Sequence, residues 1–358
     1  MEDSQTNCED INSPVFPCTV SVVSATYNRS RMVVQAVMSA WQQTLKPYEI
    51  VVSDDCSKDD TIDRLIALKK EVPILKIITN SANSGGVPNW NRAVNASQGD
   101  LIAWCSDDDR FTPDHLQKAV QYLFDHPDVD VVHAGFIECT EYEDGSETEA
   151  LSPLKSSHPI VVDKNNFLMY SAINFNWPFH PSTLVFRRKV WEEVGPFNPK
   201  FALADTEWFV RCAMKHRLVY LPYYGVINRR HLGSSENWSN RVGSVNMQRE
   251  LYESILNFVD WARASREVKN IDPQFRKWLS RYRILLLRMC IARARAGVFP
   301  VARELACEIT RVTPILSKIP VQIREWVTKY LYTFLNFIQK YCLGGQSKYA
   351  NLGKHVPL

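Results

Sequence analysis

Three carboxylates stand in a row at Asp107-Asp108-Asp109. Adjacent carboxylates repel one another, so such a row needs either full solvation or a compensating cation. Hard divalent ions such as Mg2+ and Mn2+ take oxygen ligands, commonly one or two carboxylates plus substrate phosphates. The chemistry within reach is therefore metal-assisted work on a phosphorylated substrate. The bland counterpart is a solvated acidic turn before Thr112-Pro113-Asp114, where Asp114 caps a helix. A second acidic pair, Asp54-Asp55, follows a separate apolar run, and Thr26-Tyr27-Asn28 follows a third.

Clusters of this kind act together only if the chain brings them together. Residues 19–25, 49–53, 74–79, 101–105 and 129–133 are short β-branched or aliphatic runs, expected as strands. Residues 31–43, 61–71, 90–97 and 116–124 carry helical apolar spacing, with Asp60 as the expected N-cap of the second helix and Gly85-Gly86 in a turn before the third. Strand–helix alternation with short links predicts a mainly parallel sheet with helices on both faces. Ligands bind outside the carboxyl ends of strands in such sheets, and three of these strands run directly into the polar clusters. Residues 138–160 read as a loop or irregular hairpin. Further strands are expected at 182–189 and 218–228 around a helix at 205–216. After about Gln248 helical periodicity with frequent Arg takes over, which places a boundary near 236–245.

Composition narrows the class. Hydrophobic residues at 45% and charged residues at 23% exclude wholesale disorder. Net charge is only +3. Residues 1–150 nevertheless hold 25 acidic and 11 basic side chains, whereas residues 240–358 hold 8 acidic and 20 basic. An acidic front suits cation or polar-ligand binding, and a basic back suits an anionic partner. No apolar run reaches the length of a spanning helix, and the acidic N-terminus lacks a signal-peptide core. Nine scattered cysteines without a Cys-x-x-Cys read as reduced thiols and argue against a structural zinc site; a cytoplasmic location is expected.

Five blocks in order carry a resemblance: VSVVSATYNR (20–29), IVVSDDCSKDDT (50–61), NSGGVPNWNRAVNASQGDLI (83–102), WCSDDDRFTPDHL (104–116) and HPSTLVFRRKVWEEVGPFNPKFALADTEWFVRC (180–212). Over about residues 18–235 the chain resembles the family 2, GT-A fold glycosyltransferases. The resemblance implies an α/β, GT-A fold (Rossmann-like, mainly parallel sheet with helices on both faces) followed by a mostly α-helical C-terminal region. The expected division is a flexible arm at 1–16, a GT-A domain at 17–240 and a basic helical region at 241–358. It also implies an inverting transfer from a nucleotide-sugar donor, UDP-linked by preference, to a hydroxyl of a glycan or lipid-linked glycan.

Roles follow from the resemblance position by position. Ala25, Tyr27, Asp55 and Asp107 fall at nucleotide-binding positions, with Tyr27 stacking on the base and Asp55 accepting from a uracil N3–H. Asp54 is left to hold the strand-end loop. Counting back from Pro113, the metal carboxylate falls on Asp108, binding Mn2+ or Mg2+, with Asp107 near the ribose or sharing the metal and Asp109 supporting the loop. Asp205 is the expected general base, alternatively a helix cap. Arg230 and His231 are candidates for the diphosphate, and His180 for the acceptor pocket. Ser182 is a weaker candidate. Trp177 and Trp208 could line a sugar site or sit in the core.

Two readings stay open for the tail. Residues 275–299 and 321–342 interleave Arg and Lys with aromatic and aliphatic residues. They suit either a helical subdomain packed with Arg outward or a peripheral membrane contact on anionic lipid. No nucleic-acid-binding motif accompanies the charge. Ala25, Ser106 and Ala204 stand where the family usually has other residues, so the alternative is a catalytically silent module that binds glycans or nucleotide sugars.

Overall fold

The computed structural model describes residues 16–142, 144–172, 180–231, 245–295 and 299–312. The N-terminal arm, Trp177, the 232–238 part of the late loop and the 321–342 stretch lie outside the described residues.

The chain forms two compact units. The first comprises residues 1–162, 178–199 and 215–232; the second comprises residues 163–177, 200–214 and 233–358. All of the described strands belong to the first. They are β1 (Val20–Thr26), β2 (Glu49–Asp54), β3 (Leu75–Thr79), β4 (Leu101–Trp104), β5 (Arg110–Phe111), β6 (Val131–Glu141), β7 (Glu147–Leu151), β8 (Ile160–Val162), β9 (Val185–Arg187) and β10 (Leu218–His231). The sheet order is β3-β2-β1-β4-β9-β6-β10-β5, with β7 on β6 and β8 on β10. Strands β3-β2-β1-β4 are parallel, as the alternating pattern predicts, and so is the β6–β10 pair. Strand β9 is antiparallel to both β4 and β6, so the sheet is mixed beyond β4.

Burial explains the strand assignments. Val20, Val22, Val23, Ile50, Val51, Val52, Leu101, Ile102 and Ala103 are all buried. Such runs belong to central strands covered on both faces. Each buried Val, Ile or Leu side chain contributes roughly 1.5–3 kcal/mol. Helices α1 (Ser30–Trp41), α2 (Thr61–Leu68), α3 (Gly86–Ala96), α4 (His115–Asp125) and α6 (Arg188–Val194) belong to the same unit.

Two helix starts differ from expectation. Asp60 makes no side-chain cap bond at α2; Asp59 Oδ1 instead accepts from the Thr61 amide at 3.1 Å. Helix α3 begins at Gly86 rather than Trp90. Gly85 takes φ 89°, a conformation that costs glycine little, and Pro88 is tolerated in the first turn, where its missing N–H is not needed. The 138–160 segment is largely a hairpin, because β6 runs on to Glu141 and pairs antiparallel with β7. Gly99 approaches β1 so closely that a Cβ would stand 2.7 Å from the Ser21 amide nitrogen.

Strand β10 is irregular against β6. Leu221 pairs with Ala134 and Val226 with Phe136, so five steps along β10 match two along β6. The shift is a bulge centred near Tyr224.

The second unit contains α5 (Phe167–Ala172), nearly all of α7 (Ala204–Lys215), α8 (Val245–Ser265), α9 (Ile271–Arg295) and α10 (Phe299–Arg311). Tyr252, Trp278 and Tyr282 stack between α8 and α9, and the Tyr282 hydroxyl donates to the Gln248 carbonyl at 2.6 Å. Among the described residues no helix is long and apolar enough to cross a membrane.

Candidate active site

Strands β2, β1 and β4 are neighbours in the sheet and parallel, so their carboxyl ends lie side by side. The polar clusters that follow them are thereby brought together, as the strand–cluster pattern predicts.

The β1 and β2 ends are locked to one another. Asn28 takes a left-handed φ of 52°. Its amide donates to Ser57 Oγ at 2.8 Å, and its Oδ1 accepts from the Lys58 amide at 2.7 Å. Asp54 Oδ2 accepts from the Ser57 amide at 3.0 Å, and its other oxygen accepts from the Ser57 hydroxyl. Asp54 thus holds the loop. Tyr27 projects from this frame with 42% of its surface exposed, while Ala25 is buried within β1.

Asp55 is only 2% exposed, yet its carboxylate is well supplied. Oδ1 accepts from the Ser84 amide (2.9 Å), the Ser84 hydroxyl (2.8 Å) and Asn80 Nδ2 (2.5 Å); Oδ2 accepts from the Gly85 amide (2.8 Å). Burial pushes this carboxyl up, but these donors together outweigh it and hold the group below the usual range. Oδ2 keeps room for a further donor. Asn89 of α3 completes the frame, donating to the Ser53 carbonyl at 2.9 Å and accepting from Ser53 Oγ at 2.7 Å.

The triplet after β4 divides three ways. Asp107 is buried; burial drives its carboxyl up to about 6, opposed by Arg29 and reinforced by Asp108. Asp108 is the most open, with 22% of its side chain exposed. Arg29 Nη1 joins the two, at 2.8 Å from Asp107 Oδ1 and 2.9 Å from Asp108 Oδ2. Asp107 first, then Asp108, hold this guanidinium firmly charged. Asp109 turns inward. Its Oδ1 accepts from Asn228 Nδ2 (3.0 Å) and the Arg229 amide (3.1 Å), and its Oδ2 accepts from the Ser182 hydroxyl. Burial, then Asp108, pushes the Asp109 carboxyl up to about 7. Ser182 also accepts from the Ser106 amide at 3.1 Å, so it ties the acidic loop to the 3-10 turn Pro181–Thr183.

His180 precedes that turn, its ring centroid 4.9 Å from that of Phe136, and its carbonyl accepts from Thr183 Oγ1 at 2.8 Å. Arg230 and His231 close β10 opposite Thr140 and Glu141; their side chains are outside the described set. Asp205 lies in the first turn of α7, in the second unit, and its Oδ1 accepts from the Thr206 amide at 2.7 Å. Trp208 is fully buried and is a core residue, not an exposed sugar platform.

Sequence reasoning missed Arg29, Asn80, Ser84 and Asn89. A signal for Arg29 existed. It is the N-cap residue of α1, where the helix dipole disfavours a cation, so an arginine there requires another reason.

Among the described residues no group of three or more His, Cys, Asp and Glu side chains is arranged to hold a metal. Asp107 and Asp108 do converge on one cationic nitrogen, and their hard oxygens suit Mg2+ or Mn2+ completed by phosphate oxygens.

Comparison with known proteins agrees with this layout. Residues 21–195 match the model of glycosyl transferase family 2. The uncharacterized glycosyltransferase YwdF of Bacillus subtilis (strain 168) is 29% identical over 209 residues, 58% of this chain and 73% of that protein. A Mycobacterium tuberculosis protein, Rv1520, is 29% identical over 218 residues, spanning 59% of each. Among solved structures, S. aureus TarS 1–349 in complex with UDP-GlcNAc superposes with a TM-score of 0.62 at 15% identity, covering 92% of this chain and 93% of that one. The mannosyltransferase PcManGT of Pyrobaculum calidifontis, in complex with GDP-Man and Mn2+, gives a TM-score of 0.51 at 18% identity, covering 92% and 89%. At these identities the structures speak to the fold alone: they are GT-A-like, as expected from the five blocks.

Proposed function

We propose that the chain, whose residues 21–195 match glycosyl transferase family 2, is a glycosyltransferase that moves a sugar from a nucleotide-sugar donor, UDP-linked by preference, to an acceptor hydroxyl in glycan or polysaccharide assembly, with inversion at the anomeric carbon. The observation that carries this reading is the convergence of Asp107 and Asp108 on one cation, beside the frame built by Asp54 and Asp55. The UDP-GlcNAc seen with TarS, and the GDP-Man and Mn2+ seen with PcManGT, support a nucleotide-sugar donor and a divalent ion here.

Each residue has a physical task. The exposed Tyr27 ring offers a face for the nucleobase. Asp55, fixed and ionised, accepts a base N–H on Oδ2. Asp108, with Asp107, would hold Mn2+ or Mg2+, which when bound neutralises charge growing on the leaving nucleoside diphosphate. Arg230 and His231 contact the diphosphate, and His180 shapes the acceptor side. Asp205 takes the proton of the acceptor hydroxyl as that oxygen attacks the anomeric carbon and the donor's phosphate oxygen leaves. In this proposal residues 17–240 form the catalytic domain and residues 241–358 a basic helical region. Exposed Ile284 and Leu287, set among Arg281, Arg283 and Arg288 on α9, support an anionic lipid surface or lipid-linked acceptor as its partner.

The test is transfer itself. UDP-, GDP- and dTDP-sugars are screened with Mn2+ for nucleoside diphosphate release and product formation. Asp205→Asn should then lower the turnover rate by about a hundred- to ten-thousandfold while donor binding is unchanged. Full turnover in that variant removes the base from Asp205. Absence of release from every donor removes the transferase reading.

A further inference from the structure

The two carboxylates assigned to the metal already hold a cation from the chain itself. One amino group of Arg29 spends a hydrogen on each of them, at 2.8 and 2.9 Å. Those bonds are charge-assisted and involve a carboxylate, Asp107, that is almost wholly buried. The guanidinium occupies the space between Asp107 and Asp108 that a shared divalent ion would need. It is not trapped there, because 42% of the Arg29 side chain is exposed.

Its starting point also favours movement. Arg29 is the N-cap residue of α1, so the helix dipole opposes its charge and the two carboxylates supply what holds it. Remove their charge by binding a divalent ion, and the guanidinium is left beside a like charge. A diphosphate brought in by the same ion is then its natural partner, since guanidinium pairs with phosphate as readily as with carboxylate.

We propose that Arg29 is a resident counter-ion that the divalent ion must displace, and that the displaced guanidinium turns to the donor's diphosphate. Metal alone therefore binds weakly, nucleotide and metal bind together, and the acidic pair is kept neutralised between turnovers. The inference rests on the metal reading of Asp107 and Asp108 given above. It goes beyond it by assigning a chain residue that competes for the site and couples the two ligands.

The experiment is a Mn2+ titration followed by the electron paramagnetic resonance signal of the free ion, with and without UDP or GDP. The full-length wild type, Arg29→Gln, Arg29→Lys and Asp108→Ala are compared. In the wild type, one of the nucleotides should tighten Mn2+ binding by about tenfold or more. Arg29→Gln should bind Mn2+ alone about tenfold more tightly than wild type, as expected when one competing charge is removed, and should lose most of the nucleotide effect. Arg29→Lys, which keeps the charge, should stay close to wild type in the absence of nucleotide. Asp108→Ala should abolish specific Mn2+ binding in every case.

If Arg29→Gln binds Mn2+ no more tightly than wild type while Asp108 remains essential, the counter-ion proposal falls and the metal reading stands. Lack of any nucleotide enhancement in the wild type also overturns the proposal, without needing a variant that folds. If Mn2+ binding ignores Asp108, or is absent throughout, the metal reading fails and the proposal fails with it.

Discussion

The ends of β2 and β4 present the same residue type and solve its electrostatics in opposite ways. After β2, Asp54 and Asp55 are answered by neutral donors: backbone amides of Ser57, Ser84 and Gly85, hydroxyls, and the Asn80 amide. After β4, Asp107 and Asp108 are answered by a full positive charge on a partly exposed arm. Neutral donors built into the backbone cannot leave, so the β2 end is a rigid recognition edge. A guanidinium on a long side chain can leave, so the β4 end is a seat whose occupant can change. Asp109 belongs to the first kind although it stands in the second cluster, because Ser182, Asn228 and the Arg229 amide fix it in place.

The largest expected effect tests the exchangeable seat. Asp108→Ala should reduce turnover by about a hundred- to thousandfold, the scale for losing one preorganised charge-stabilising group, with little change in thermal stability. A stability loss without a rate loss would make the β4 end a structural cluster after all. Next comes the rigid edge. Asp55→Asn should cost about 2–3 kcal/mol of folding stability at neutral pH, since several donors to a charged acceptor are disturbed. The sign with pH follows from the direction of its shift. A carboxyl held below its ordinary value of 3.8 stabilises the fold fully above that value and loses its contribution as pH falls through the lower, folded value. Urea melts should therefore show the wild-type advantage at pH 7 and a narrowing gap below about pH 4. A gap independent of pH would mean that Asp55 acts through shape and not charge. The smallest effect is at the join. Ser182→Ala removes one donor from buried Asp109 and should cost about 1–3 kcal/mol in a thermal melt, with Mn2+ affinity preserved.

Much of this was legible beforehand, for definite reasons. Buried central strands such as Val20–Thr26 are written in continuous apolar residues, and their acidic ends stand out by contrast. Asp54 as loop holder and Asp109 as loop support were both readable from position. What escaped notice was pairing between distant, unremarkable residues. Asn80 and Ser84 look like ordinary turn chemistry until their donors are seen aimed at Asp55. Arg29 is a single cation 78 residues from Asp107, and only the β1–β4 pairing places them together. The reversed direction of β9 was equally hidden, because a strand of three residues carries no sign of its polarity.

The bulge in β10 has an evolutionary consequence. Side chains alternate faces along a strand, so the odd excess of residues near Tyr224 inverts which of them share a face with their β6 neighbours beyond that point. The Asn228 side chain reaches the acidic loop only with that parity. A one-residue insertion or deletion near Tyr224 would exchange the two faces of the strand end at a stroke. Descendants of this chain could therefore acquire a different set of groups around Asp109 through a change in strand length, with every amino acid beyond the bulge left as it was.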